Sequence, residues 1–302
     1  MNFLKKGLRS CLRAYGYDIV KVYKKKTVKG MQILKIGDIR LQLPAEHALP
    51  SLISQFPGYS RNLPRIVQCI QKKYPDTAIL DVGANVGDTV ALIKEKCKGD
   101  PVFICVEGDP LFITYLRHNL GHLQNVKIVD CFLSDNTTLC GTIINQEGTA
   151  RIATDTGSKQ MNLLTLDALS ESEIAVKQAK ILKIDTDGFD LKIIRGGLNY
   201  IKEIKPILFF EYDRVFLDAN GDDGFSTLLK LKDLGYEDVI IYDNYGRMLL
   251  SFHLYNMEIF EQLDLYIKGK KAAFEYFDIC LFHKEDADLY NDIKTEEIKL
   301  MQ

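Results

Sequence analysis

Several carboxylates in this chain stand where their neighbours give them chemistry to do. They are Asp185 and Asp187 in KIDTDG, Glu211 and Asp213 in FFEYD, Asp81 in ILDVG and Glu107 in VEGDP. Each lies at or near the end of a short apolar run, the pattern of a buried parallel strand, and open α/β sheets gather their ligands at the carboxyl ends of such strands. Acids placed there can accept hydrogen bonds from sugar hydroxyls, take a proton as general base or hold a hard divalent cation through oxygen ligands. Just after Asp81 comes Gly83-Ala84-Asn85-Val86-Gly87. Its glycines permit positive φ and the close approach of a ligand, and the first N–H groups of the following helix point at whatever sits above. Glu107 follows roughly 20 residues later at the end of the next apolar run, the position from which an acid reaches a ribose. His118 and His122 have the spacing of a helical metal pair, but no Glu follows His118 and Gly121 ends the helix between them. A zinc site is therefore not expected. Tyr59-Ser60-Arg61 lies in an irregular stretch, either lining a substrate pocket through Tyr59 and Arg61 or forming a surface turn.

Glycine spacing separates two classes of nucleotide cofactor. A dinucleotide fingerprint needs G-x-G-x-x-G, and here Asn85 and Asp88 occupy the second and third glycine positions. That counts against an NAD-dependent oxidoreductase. The pattern D-x-G-x-N-x-G instead resembles the first motif of class I S-adenosylmethionine (SAM) methyltransferases. The likeness continues through DVGANVGDT at 81–89, VEGDP at 106–110, LSD at 133–135, TLDAL at 165–169, KIDTDGFDLKIIRGG at 183–197 and KPILFFEYD at 205–213. In order and spacing these segments resemble the FkbM family of SAM-dependent methyltransferases. Thr186 and Asp187 replace the Val and Glu common in that family, leaving the acid in place but one methylene shorter; this bears on the substrate more than on the fold.

The resemblance implies an α/β, Rossmann-like class I methyltransferase fold, with a mostly parallel seven-stranded sheet, helices on both faces and one antiparallel strand closing it. It implies SAM as cofactor, held by Asp81, Gly83, Ala84, Asn85, Gly87, Glu107, Leu133 and Ser134. It also implies O-methylation of a sugar, glycan or secondary-metabolite hydroxyl, as in polysaccharide biosynthesis. A methyl group leaves a sulfonium readily, so the protein has chiefly to align the acceptor and remove its proton. Asp187 is the first choice of base, although an Asp there could instead cap the next helix. Asp185 is placed to hold the cofactor's methionine end or the acceptor, and Glu211 is the alternative base. A divalent cation on Asp185, Asp187 and Glu211 is not favoured. A non-catalytic SAM-binding scaffold in a glycan-assembly complex is a further alternative, against which the intact Glu107 and strand-end acids argue.

The elements that must position these residues follow from hydrophobic patterning. Strands are expected at 79–82, 101–106, 126–132, 181–184 and 207–211, with 239–243 and 277–282 completing the sheet. One helix is expected from near Asp187 to Gly196-Gly197, which carries a C-terminal glycine signal. Asp109-Pro110 reads as an N-cap followed by proline at the first helical position. Upstream, the apolar runs around Gly37-Asp38 signal a hairpin, and prolines punctuate the way to a helix at 63–73. Residues 1–62 are thus expected to form an N-terminal helix-and-hairpin cap, 63–286 the methyltransferase domain, and 287–302 a charged C-terminal tail, with the last twenty residues a frayed helix.

A composition of 46% hydrophobic and 26% charged residues can bury a sizeable core. The net charge of −2 gives no electrostatic reason to expect nucleic acid. Seven scattered cysteines without a C-x-x-C pair read as reduced thiols in a cytoplasm. No run reaches the ~18 apolar residues of a membrane span. The basic amphipathic start, Phe3, Leu4, Leu8 and Leu12 among lysines and arginines, could pack on the protein or lie peripherally on the inner face of a membrane. Homo-oligomerisation is open.

Overall fold

The computed structural model describes residues 15, 30–97, 99–146, 149–154, 160–243, 245–269, 272, 274 and 276–302. The amphipathic helix expected over the first 23 or so residues lies outside them. Among the described residues no helix is long and apolar enough to cross a membrane.

Apolar runs form the central sheet. Its first strands are β3 (Ala78–Val82), β4 (Val102–Glu107), β5 (Val126–Asp130), β9 (Ala179–Ile184) and β10 (Ile207–Asp213), followed by β11 (Tyr236–Asp243), β12 (Met248–His253) and β13 (Tyr276–His283). Their order is β12-β11-β13-β10-β9-β3-β4-β5. Strands β10, β9, β3, β4 and β5 run parallel, and β13 is antiparallel to both β10 and β11. Eight strands stand where seven were expected. The extra one, β12, pairs with β11 at the sheet's edge, so it extends the sheet without altering its centre.

Alternate residues of each strand face opposite sides, and so two cores form. Ile79, Phe103, Cys105 and Ile181 pack with apolar residues of α2 (Asn62–Lys73), α3 (Asp88–Lys96) and α4 (Pro110–Leu120). Leu80, Val82, Ile104, Leu182 and Ile184 pack on the other side with α5 (Leu166–Ser172), α6 (Asp190–Arg195) and α7 (Leu198–Ile204). Each fully buried side chain of this kind stabilises the fold by roughly 1.5–3 kcal/mol. The helix expected after β9 is α6, which stops at Gly196-Gly197 as expected, and a further short helix that was not expected, α7, follows at once. Asp109 caps α4 as its Asp-Pro pair predicts, its Oδ1 accepting from the N–H groups of Leu111 and Phe112 at 2.8 and 3.1 Å.

An insertion that sequence patterning did not reveal follows β5: β6 (Thr138–Gln146), β7 (Thr149–Thr154) and β8 (Gln160–Asn162) form a separate antiparallel sheet, ordered β7-β6-β8. Upstream, β1 (Gln32–Ile36) and β2 (Ile39–Leu43) form a hairpin about Gly37-Asp38, followed by α1 (Leu49–Gln55). Asn119, buried in α4, stitches this hairpin to the glycine turn. Its Oδ1 accepts from Gln42 N–H at 2.8 Å, while its Nδ2 donates to the carbonyls of Gln42 (3.0 Å) and Val86 (2.8 Å).

Between β10 and β11 come α8 (Arg214–Asn220) and α9 (Phe225–Asp233), α10 (Met257–Ile267) lies between β12 and β13, and α11 (Ala287–Met301) follows β13. The helix expected at the C-terminus is present, and it is docked rather than frayed. Leu289, Tyr290 and Ile293 are buried in the core that contains α2 and α3, and buried Glu297 accepts two hydrogen bonds from Arg65, from Nε and Nη2, at 2.7 Å each.

Candidate active site

Two cavities meet at the carboxyl edge of β3, β4 and β9. The smaller, about 580 Å³ including its solvent-open mouth, lies between the glycine turn and the ends of β4 and β5, with Glu107, Phe112, Phe132, Leu133 and Ile193 in its wall. The larger, about 1300 Å³, opens under α1 and the loop before α2, and is lined by His47, Tyr59, Asp88, Glu211, Tyr276 and Asp278 among others. Gly83, Asn85, Asp185 and Asp187 line both. They form the partition.

Local backbone explains the partition. Gly83 has φ +79, and a Cβ there would stand 1.9 Å from the Asp185 carbonyl oxygen, so β3 and β9 can end this close together only with glycine. Asn85 and Asp187 also adopt left-handed backbone, φ 49 and 48, which Asn and Asp tolerate better than other non-glycine residues. Gly87 is the left-handed N-cap of α3. The cap of α6 is Phe189, without a side-chain capping bond. Asp187 therefore lies two residues ahead of the capping position, in the turn itself.

Glu107, 8% exposed, is anchored where β4 ends. Its Oε2 accepts from Asn85 N–H at 2.8 Å and its Oε1 from the N–H groups of Gly108 and Asp109 at 2.9 and 2.8 Å. Burial raises its pKa against these bonds, which lower it. Asp81 is fully buried in β3 and pairs with Lys183 of β9, its register partner, at 3.0 Å. Asp81, Ala84, Gly87 and Ser134 line neither cavity. Leu133, in contrast, lines the smaller cavity. Tyr59 lines the larger one, whereas Arg61 turns away from it to pair with Glu95 of α3.

The larger cavity is rich in acids that do not hold their protons equally. Burial, then the charges of Asp185, Asp190 and Asp278, push Glu211 well above the ordinary carboxylate range. Burial and Asp185 likewise push Asp278 well above it. Burial raises Asp88 to about 6, with Lys183 opposing. Burial alone would lower Lys183, but Asp81, Asp185 and Asp88 raise it, so it stays charged. Among the described residues no group of three or more His, Cys, Asp or Glu side chains is arranged to hold a metal ion.

Residues that sequence reasoning missed come mainly from two sources. Tyr276 and Asp278 lie at the start of antiparallel β13, so they reach the same edge as the ends of the parallel strands, with Asp278 opposite Glu211 and Tyr276 opposite Asp213. An antiparallel closing strand implies this, and the alternation Tyr276, Asp278, Cys280 was the available signal. His47 comes from the cap, where a lone histidine in a proline-punctuated connection carries no pattern. Lys183, within the KID segment, could have been found only by pairing it with Asp81 across two parallel strands.

A sequence profile described as the methyltransferase FkbM domain matches residues 81–237, more than half of the chain. No curated protein matches the chain by sequence. Among solved structures it is similar to the methyltransferase FkbM of Methylobacillus flagellatus KT, with 15% identity, a TM-score of 0.35 and coverage of 59% of this chain and 43% of that one. This chain thus spans less than half of that protein's length. It is also similar to the fibrillarin pre-rRNA processing protein of Methanococcus jannaschii (12% identity, 87% of this chain and 86% of that one, TM-score 0.42). A third similar structure is M. jannaschii TYW2 in complex with AdoMet (12%, 87% and 89%, TM-score 0.40).

Proposed function

The chain belongs to the FkbM methyltransferase family, and from that premise we propose that it uses SAM to methylate a hydroxyl oxygen of a sugar, glycan or other secondary metabolite. The observation that carries this reading is the shared partition. A chamber with a nucleoside-type carboxylate and a chamber lined by acids touch only across Gly83, Asn85, Asp185 and Asp187.

The residues of the smaller cavity fit SAM. Phe112, Phe132, Leu133 and Ile193 offer apolar walls to an adenine. Glu107 retains acceptor capacity beyond its three backbone bonds, since an ionised carboxylate has about four lone-pair sites. When bound, SAM supplies a methyl group on a positively charged sulfur. Asp185 and Asp187, on the wall between the chambers, favour that charge nearby. Asp187 would take the acceptor's hydroxyl proton as the S–CH₃ bond gives way to the new O–CH₃ bond, the old bond's electron pair staying on a sulfur that departs as a neutral thioether. Glu211, in which burial favours the protonated form, would donate a hydrogen bond to the acceptor rather than take its proton.

The deciding experiment incubates the purified protein with isotopically labelled SAM and an extract of its native host, and follows products by mass spectrometry. A hydroxylated metabolite that gains one labelled methyl supports the proposal. Calorimetric binding of NAD in place of SAM would replace it with an oxidoreductase, and SAM binding with no labelled product from any extract would favour the scaffold.

A further inference from the structure

His47 of the cap reaches over the partition and touches the cofactor turn. Its backbone is pinned within its own loop: its N–H donates to the Pro44 carbonyl at 3.1 Å, and Gln32 Nε2 donates to the carbonyls of Ala45 and His47. Its ring makes two directional contacts. Leu49 N–H donates to Nδ1 at 3.2 Å, and Nε2 lies 3.2 Å from Asn85 Oδ1. Because Nδ1 accepts, the proton of the neutral ring is on Nε2, and Nε2 donates to Asn85. Burial lowers the pKa of the ring, which favours this neutral form. The ring also meets Phe112, a wall residue of the smaller cavity, edge to face at 6.2 Å.

This donation fixes which end of the Asn85 amide is oxygen and so its orientation on the partition. The same residue's backbone N–H holds Glu107 Oε2. A chain of contacts therefore runs from cap to cofactor carboxylate: His47, Asn85, Glu107. Asn119 supports it from below, joining β2 to the Val86 carbonyl in the same turn.

We propose that His47 is a positioning residue for the cofactor, orienting Asn85 through its Nε2–H so that the N-terminal cap completes the SAM site of the methyltransferase domain. The inference rests on the SAM reading given above. It means that cofactor affinity depends on a residue outside the segment that carries the family resemblance.

Two substitutions separate the ring's contacts. Glutamine can place an amide nitrogen near the position of Nε2 but leaves that of Nδ1 empty; asparagine can place its oxygen near Nδ1 but does not reach Asn85. SAM affinity by calorimetry, SAM KM against kcat, and the melting temperature without SAM would be measured for His47→Gln, His47→Asn and the wild type. The expected result is that His47→Asn weakens SAM binding about ten-fold, as loss of one hydrogen bond would, and raises its KM more than it lowers kcat. His47→Gln should stay within a few-fold of wild type. Equal loss in both variants, with matching falls in melting temperature, would make His47 a merely structural residue and overturn the proposal. So would wild-type affinity in His47→Asn, or a loss confined to His47→Gln. Failure of the wild type itself to bind SAM would instead overturn the SAM reading, and this inference with it.

Discussion

Asp187 and Glu211 lie in one cavity, yet their surroundings ask different things of them. A general base must be able to take a proton at the working pH, and burial with the charges of Asp185, Asp190 and Asp278 favours the protonated form of Glu211. Asp187→Asn should keep the left-handed turn, which Asn tolerates, and so keep stability and SAM affinity. It should lose ~10²-fold or more in turnover, because an amide accepts no proton at neutral pH. Glu211→Gln resembles the protonated acid and should turn over within a few-fold of wild type. The reverse pattern in steady-state kinetics would move the base to Glu211. Asp190 shows the stability side of the same physics. Only 3% exposed, its Oδ2 accepts from Thr186 Oγ1 at 3.0 Å, and burial followed by Asp185 raises it to about 6. A carboxyl raised in the fold binds a proton that the unfolded chain, titrating near 3.9, has already released. Its contribution to stability is therefore complete below about pH 4 and is lost as the pH rises through about 6. Asp190→Asn removes that loss. Denaturant titrations should find the variant more stable by up to about 3 kcal/mol near pH 8, with a smaller gain near pH 5. A variant no more stable than wild type near pH 8 would show that Asp190 is solvated in the folded protein.

At the scale of elements, what could be read from sequence depended on whether a segment's environment was written in its own residues. Strands β3, β4, β9 and β10 are buried on both faces, so they appear as uninterrupted apolar runs, and their ends fall within a few residues of expectation. The glycine turn was legible because positive φ at Gly83 and Gly87 requires a special residue. Glu107 was legible because its distance from that turn is set by one helix and one strand. The insertion β6–β8 could not be read this way. It forms a sheet apart from the central one, and its segment Thr138–Asn162 is not an uninterrupted apolar run. The break between α6 and α7 was half-visible: Gly196-Gly197 marked the stop, but nothing local says that the chain re-enters a helix at Leu198. Asp278 and His47 belong to the site through tertiary placement. One arrives by the reversal of the last strand and the other by the folding back of the cap.

The whole molecule is held as one unit partly from its far end. The charges of α11 invite the reading of a solvated tail, but Leu289, Tyr290 and Ile293 are buried beside α2, and Glu297, 3% exposed, faces the same way. A glutamate at a buried helical position makes sense only with its partner in view. Arg65 of α2 meets both its oxygens and also donates to the Gly246 carbonyl at 3.1 Å. Gly246 lines the larger cavity, and Tyr245 beside it stacks on Phe56 of the cap with ring centroids 4.0 Å apart. Through Arg65, the C-terminal helix thus braces the side of the site on which the larger cavity lies. Glu297→Ala leaves the half-buried guanidinium short of its two best acceptors, a loss of about 1–3 kcal/mol, or about 2–4 °C in Tm for each kcal/mol in a chain of this size. Acceptor KM should rise while calorimetric SAM affinity stays at the wild-type value, because the disturbed turn at Gly246 borders only the larger cavity. Unchanged melting in Glu297→Ala would mean that α11 rides on the surface as a tail. A parallel loss of SAM affinity would mean instead that the two chambers are not braced separately, and that the partition between them gives way when either side is loosened.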